Sequence, residues 1–120
     1  MMQPLVRFWK ARGLAAGPVI HGVFTRLGGI SPPPFASLNL GFTTGDDPKR
    51  VVKNRLLAFD ALGLSLPKAV ACRQVHGSEV AQVDMRHAGR GGMSADSALP
   101  GFDALATQTP GLPLMAFFAD

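Results

Sequence analysis

The stretch Ala69-Val70-Ala71-Cys72-Arg73-Gln74-Val75-His76-Gly77 decides how the rest of the chain is read. An apolar run passes directly into polar residues and then into a glycine. Val70, Cys72 and Val75 suit a packed strand, and Gly77 permits a sharp turn or a close backbone approach. His76 therefore falls where a strand gives way to a loop. The strand fixes the direction of the imidazole and the loop leaves it reachable, which suits a metal ligand or an acid–base group. A packed, hydrogen-bonded histidine fits the same spacing, and the local pattern does not choose between the two.

Working outward, Leu64 to Lys68 link this strand to the clearest helix of the chain. Asp46-Asp47-Pro48 reads as its start, with Asp47 as N-cap and Pro48 in the first turn. Val52, Leu56 and Phe59 recur at helical spacing, and Gly63 supplies the stop. Asn54 and Arg55 lie mid-helix and need a polar environment or partners. On the other side of the central stretch, Glu79 to Asp84 alternates as a strand that could pair with the one before it. Arg86 to Gly101 reads as a polar, glycine-rich loop, and Phe102 to Thr107 as a short mixed segment that Asp103 enters. Leu112 to Ala119 is the strongest candidate for a buried strand, with Pro113 near its start.

Toward the N-terminus, Leu5 to Trp9 suits a short first strand, Ala11 to Pro18 a loop, and Val19 to Thr25 a second strand with His21 in a structural role. Arg26-Leu27-Gly28-Gly29 follows at once. Two glycines after a strand make a tight turn whose amides could meet an anion, although the lysine and long glycine spacing of a phosphate loop are absent. Arg26 can hold a phosphate or carboxylate in its fork, or serve as a surface ion-pair residue. Pro32 to Pro34 are stiff and extended. Between Leu38 and Leu40, Asn39 faces away from their side, where its amide can read a polar substrate edge or bond to nearby backbone.

The totals bound these readings. At 120 residues the chain is one domain at most, and its 47% apolar content supports a core. The charged fraction of 17% is low for a free-standing surface. That fraction, and an apolar strand at the end of the chain, lead us to expect a piece of a larger fold. Cys72 is the single cysteine, which excludes an intrachain disulfide, fits a reducing compartment and suits a buried small side chain. No run is long enough to cross a membrane, and no apolar signal core follows the basic residues of the first segment, so a cytoplasmic location is expected. The net charge of +4 raises nucleic acid as a partner. The basic residues are scattered and no aromatic residues interleave with them, so nucleic acid is not the expected partner.

Several strings together resemble one family: His21-Gly22-Val23-Phe24-Thr25-Arg26-Leu27-Gly28-Gly29-Ile30-Ser31, Phe35-Ala36-Ser37-Leu38-Asn39-Leu40-Gly41, Gly45-Asp46-Asp47-Pro48, Asn54-Arg55, Gln74-Val75-His76-Gly77 and Asp103-Ala104-Leu105. In this order the chain resembles the bacterial polyphenol oxidoreductase or laccase-domain proteins, also known as purine nucleoside phosphorylases. The resemblance implies an α+β fold, a mixed-sheet α/β sandwich, of which residues 1–120 would be the N-terminal part. It implies a metal, zinc rather than copper, held by two His and one Cys, with His76 as the first ligand and catalytic group. The Cys would follow Ala119-Asp120 and the second His would lie further on. His87-Ala88-Gly89-Arg90-Gly91 looks like the string of that second His but lacks its Trp and precedes Asp120, so it is assigned to a loop.

The implied activities are phosphorolysis of adenosine, inosine and methylthioadenosine, with phosphate as co-substrate, and deamination of adenosine. Arg26 is the candidate phosphate contact and Asn39 a candidate nucleoside contact. A multicopper centre would need many more His and Cys than three His and Cys72. Two other classes compete: a nucleic-acid-binding domain, from the positive charge and the Lys49 to Arg55 segment, and a non-catalytic structural or interaction domain, from Pro32 to Pro34 and the low charge content.

Overall fold

The structure, a computed structural model, describes residues 6–118. The chain divides into two compact units, Met1–Leu64 and Ser65–Asp120. The α+β class with mixed strand directions expected from the sequence is what the structure has: one antiparallel ribbon, two parallel sheets and short helices.

In the first unit, strand β1 (Phe8–Trp9) pairs antiparallel with β2 (Val23–Phe24), with Phe8 opposite Phe24 and their ring centroids 5.3 Å apart. The strand expected over Val19 to Thr25 is shorter, because β1 offers a ladder only two residues long, and Val19 and Ile20 stay exposed. Leu5, expected in the first strand, lies outside the described residues. The loop expected over Ala11 to Pro18 contains one helical turn, α1 (Arg12–Ala15), closed by the Leu14 and Ala15 amides on the Ala11 carbonyl.

Helix α2 (Pro48–Leu62) begins and ends as its sequence demands. The Asp47 side chain accepts from the Lys49 amide at 3.0 Å, and Pro48 occupies the first turn. At the other end Gly63 takes the left-handed conformation, its amide bonding to Asp60 and that of Leu64 to Phe59, which together close a Schellman motif. The inward face differs from the expected stripe. Val51, Asn54, Arg55, Ala58 and Phe59 are buried, while Leu56 is exposed. The helix is rotated because the preceding loop supplies acceptors and donors for Asn54 and Arg55. Burial without them would cost each polar group about 1–3 kcal/mol.

In the second unit, β3 (Val70–Arg73) is the centre of a parallel sheet, flanked by β5 (Leu99–Pro100) and β7 (Leu114–Met115). A second parallel pair joins β4 (Val80–Val83) to β6 (Ala104–Thr107) in register from Val80 opposite Ala104 to Val83 opposite Thr107. The expected pairing of β4 with β3 is therefore corrected. A hairpin needs a tight turn, whereas the chain after β3 is drawn aside by a contact with Asp103, described below. The expected loop from Arg86 to Gly101 begins within a 3-10 turn over Met85–His87 and also contains β5.

Val70, Cys72, Ala81, Val83, Leu99 and Leu112 form the core of this unit, with Phe102 and Leu105 packed on it. Cys72 is buried, as its composition suggested. Burial, then the charge of Asp103, raise its thiol pKa. The strand expected over Leu112 to Ala119 is reduced to Leu114–Met115. Leu112 and Pro113 are buried, but Leu114 and Phe118 are exposed; among the described residues β7 is paired on one side only, by β3. Ala119 lies outside the described residues.

Candidate functional site

The three strands β5, β3 and β7 run in one direction, so their carboxyl ends lie at one edge of the sheet. Ligands of open parallel sheets bind at such edges. The chain leaves β3 through Gln74 and reaches His76, whose φ of 60° is left-handed. A non-glycine residue adopts that conformation at a cost of roughly 1–2 kcal/mol, so something must hold it. The holder is Asp103, between β5 and β6. Its Oδ1 accepts from the Val75 and His76 amides at 2.9 and 2.8 Å, and its Oδ2 accepts from the Gly77 amide at 2.7 Å. Its own amide donates to the Glu79 carbonyl.

Burial alone would raise the pKa of Asp103; the three amides, with His76 beyond them, bring it below the ordinary carboxylate value. His76 itself is exposed, with its backbone fixed by hydrogen bonding and its ring on the surface. Sequence reasoning quoted Asp103 but gave it no part in the site. The available signal was a carboxylate placed at the head of the Ala104-Leu105-Ala106 run, where an exposed strand start would not require one.

Gln74 faces the other neighbour of β3. Its Oε1 accepts from the Phe117 amide at 2.9 Å and its Nε2 donates to the Phe117 carbonyl at 3.0 Å. A side-chain amide thus continues the ladder between β3 and β7 past the last paired residues.

Arg26 belongs to the first unit. Its carbonyl accepts from the Ser37 and Leu38 amides at 2.8 and 2.7 Å, while its guanidinium is exposed with no ion pair or hydrogen bond among the described residues. The glycine turn beside it is not an anion cradle. The amides of Leu27, Gly29 and Ile30 donate to Thr25 Oγ1, Ser37 Oγ and Asn54 Oδ1. Gly29 is required by close approach: a Cβ there would overlap the Ser37 carbonyl oxygen and lie 2.5 Å from Leu38 Cα.

Asn39 sits in a polar network that closes the 31–46 loop over α2. Its Nδ2 donates to Thr44 Oγ1 and Asp46 Oδ2, and its Oδ1 accepts from the Gly41 amide. Asp46 also takes the Ser31 hydroxyl and the Asp47 amide, and Asn54 donates to Ser31 Oγ and to the Asn39 carbonyl. Ser31, with Asn39, the Asp47 amide and Arg50 after it, holds the Asp46 carboxyl below its ordinary pKa against the effect of burial. Arg55 donates from Nε to the Leu40 carbonyl and lies over the Phe42 ring at 4.2 Å; burial lowers its pKa to about 10. The sequence marked Asp46 only as a helix start and did not single out Ser31.

The other histidines are engaged locally. His21 Nε2 accepts from the Ala11 amide, which bears out its structural reading, and His87 Nδ1 accepts from the Asp84 amide within the 3-10 turn. Among the described residues no group of three His, Cys, Asp or Glu could hold a metal ion. No such group surrounds His76, so the described residues do not by themselves fit a resident metal. No helix of the described residues is long and apolar enough to cross a membrane.

Arg50 pairs with Asp46, Arg86 with Asp84, and Arg55 is buried.

This fold, and the strings that build its turns, place the chain in a known class: residues 20–120 match the family described as multi-copper polyphenol oxidoreductase laccase, and the chain belongs to that family. Among individual relatives it is 41% identical over 101 residues to the purine nucleoside phosphorylase YlmD of Geobacillus stearothermophilus, covering 84% of this chain and 37% of that protein. It is 44% identical over 101 residues to the purine nucleoside phosphorylase ORF3 of Streptomyces griseus, covering 83% of this chain and 39% of that one. The crystal structure of the Geobacillus YlmD superposes with a TM-score of 0.80, over 82% of this chain and 37% of that chain. That of the Bacillus licheniformis hypothetical protein YfiH, 36% identical, gives the same score and coverage. The chain thus spans under two-fifths of the length of these relatives.

Proposed function

We propose that the full-length protein is a purine nucleoside phosphorylase acting on adenosine, inosine and methylthioadenosine, with adenosine deaminase activity besides. Residues 1–120 are the N-terminal part of its laccase-type domain and do not catalyse alone. Two findings support the reading: the relatives bear that name, and His76 is an exposed imidazole on a turn braced at the carboxyl edge of a parallel sheet. The braced turn is the observation that carries it, because an ordinary surface histidine does not need its backbone held in a left-handed conformation.

Phosphorolysis transfers the ribosyl group from the purine nitrogen to a phosphate oxygen. The C–N bond breaks, the new C–O bond forms, and the purine leaves with a proton. Arg26, a guanidinium with no partner among the described residues, is assigned to the phosphate, where its fork suits two oxygens. Asn39 is assigned to the nucleoside through the Oδ1 lone pair that Gly41 leaves open. His76 is assigned as the acid–base group and as one ligand of a zinc ion, preferred over copper. Zinc, when bound, would supply an activated water for deamination. Among the described residues no group of three ligands accompanies His76, so the metal's remaining ligands would come from other residues of the full-length protein.

The test is to incubate full-length protein with inosine and phosphate, and separately with adenosine. Release of hypoxanthine with ribose 1-phosphate, and of inosine with ammonia, is expected. Absence of both under metal-replete conditions overturns the proposal.

A further inference from the structure

We infer that Asp103 is a positioning residue for His76. The inference rests on the reading of His76 as a site residue and adds what sets the direction of its imidazole.

The carboxylate lies opposite three consecutive amides and accepts from all of them, within 2.7–2.9 Å. Successive N–H groups at a turn that includes a left-handed residue form such a concave row, and it binds an anion. Here the anion is internal. The φ of 60° at His76 is both the cause of the row and the conformation the carboxylate stabilises. Asp103 is anchored in turn: its amide bonds to Glu79, and the strand β6 that begins at the next residue is held along four residues of β4. Gly77 fits the same arrangement, since a Cβ there would stand 3.3 Å from Asp103 Oδ2. With the backbone on both sides of its Cα fixed, His76 keeps only its side-chain torsions, and rotation about them moves the ring on a small arc rather than over the whole loop.

A shortened acceptor set separates this role from plain packing. Asn at 103 can present its oxygen to Val75 and His76 but turns an NH2 group toward the Gly77 N–H, a donor against a donor. Ala removes all three bonds.

The experiment uses the full-length protein and its Asp103→Asn, Asp103→Ala and His76→Ala variants, read by amide hydrogen exchange, by the His76 ring resonances in NMR and by kcat and KM with inosine and phosphate. In Asp103→Ala the amides of residues 75–77 should exchange roughly tenfold faster or more, the change expected for a lost charge-assisted bond, while those of Val70 to Cys72 stay within about twofold. In Asp103→Asn, Gly77 should be the most affected. The His76 ring resonances should broaden or shift, and kcat should fall roughly tenfold or more with KM nearly unchanged. If Asp103→Ala does not fold, Asp103→Asn carries the test. Unchanged exchange at 75–77, or raised exchange with native kcat and unmoved ring resonances, overturns the inference. Native turnover in His76→Ala would remove His76 from the site and overturn the inference with it, whereas absence of phosphorolysis in the unsubstituted full-length protein would overturn the proposed function instead.

Discussion

The side chain of Gln74 and the main chain of Phe117 form a closed pair of hydrogen bonds, one in each direction, 43 residues apart in sequence. The pair extends the contact between β3 and β7 by the same chemistry as a strand ladder. Gln74→Leu should therefore destabilise the protein by about 1–3 kcal/mol, since both polar groups of Phe117 lose a partner at a half-buried position. Gln74→Glu should behave similarly, because its second carboxylate oxygen would face the Phe117 carbonyl. Urea unfolding and exchange at the Phe117 amide measure this; native stability in both variants would contradict it.

His76→Ala should abolish most turnover in the full-length protein and lower its zinc content, while leaving stability within about 1 kcal/mol, since an exposed imidazole contributes little core area. Metal analysis by mass spectrometry beside the two assays checks it. Full metal occupancy with normal phosphorolysis would remove His76 from the site.

Arg26→Ala should raise the KM for phosphate and leave zinc content and adenosine deamination largely intact, because only one of the two reactions uses phosphate. Its carbonyl, which receives the Ser37 and Leu38 amides, is untouched by the change, so the loop should persist. Equal loss of both activities would assign Arg26 to the nucleoside or to the fold instead.

Gly29→Ala should cost about 1–3 kcal/mol, toward the upper end, because the added Cβ meets backbone atoms of Ser37 and Leu38 that have no rotamer to change. Thermal unfolding of the variant checks it, with Gly13→Ala, where a Cβ meets nothing within 4 Å, as the control.

Asp46, Asp84 and Asp103 all have folded pKa values below the ordinary 3.8, that of Asp84 at about 2 through its hydrogen bonds to Arg86. A carboxylate whose pKa is depressed on folding contributes stability that is complete above its unfolded pKa and is lost as pH falls through the folded one. Stability should thus be flat above about pH 5 and decline below about pH 4, with the Asp84 share lost between 3.8 and about 2. Urea midpoints across this range in native protein and Asp84→Asn test it: the variant should show a shallower decline.

The sequence by itself determined those features whose causes are local. Asp47, Pro48 and Gly63 set the limits of α2 because a cap, a fixed φ and a left-handed stop act within a few residues. Val70 to Cys72 reads as a buried strand because its side chains are apolar whichever strands flank it. The family strings, too, were legible as an ordered set. Tertiary structure alone decided which way α2 turns, because the loop that receives Asn54 and Arg55 is remote in sequence and inverts the usual preference of polar residues for water. It likewise decided that β4 joins β6 rather than β3, since a parallel pair forms across a crossover and leaves no hairpin signature. The same holds for His76. Its position at a strand end could be read from the pattern around it, but the left-handed turn that presents it depends on Asp103, 27 residues away, and a carboxylate does not announce in sequence which amides it will find.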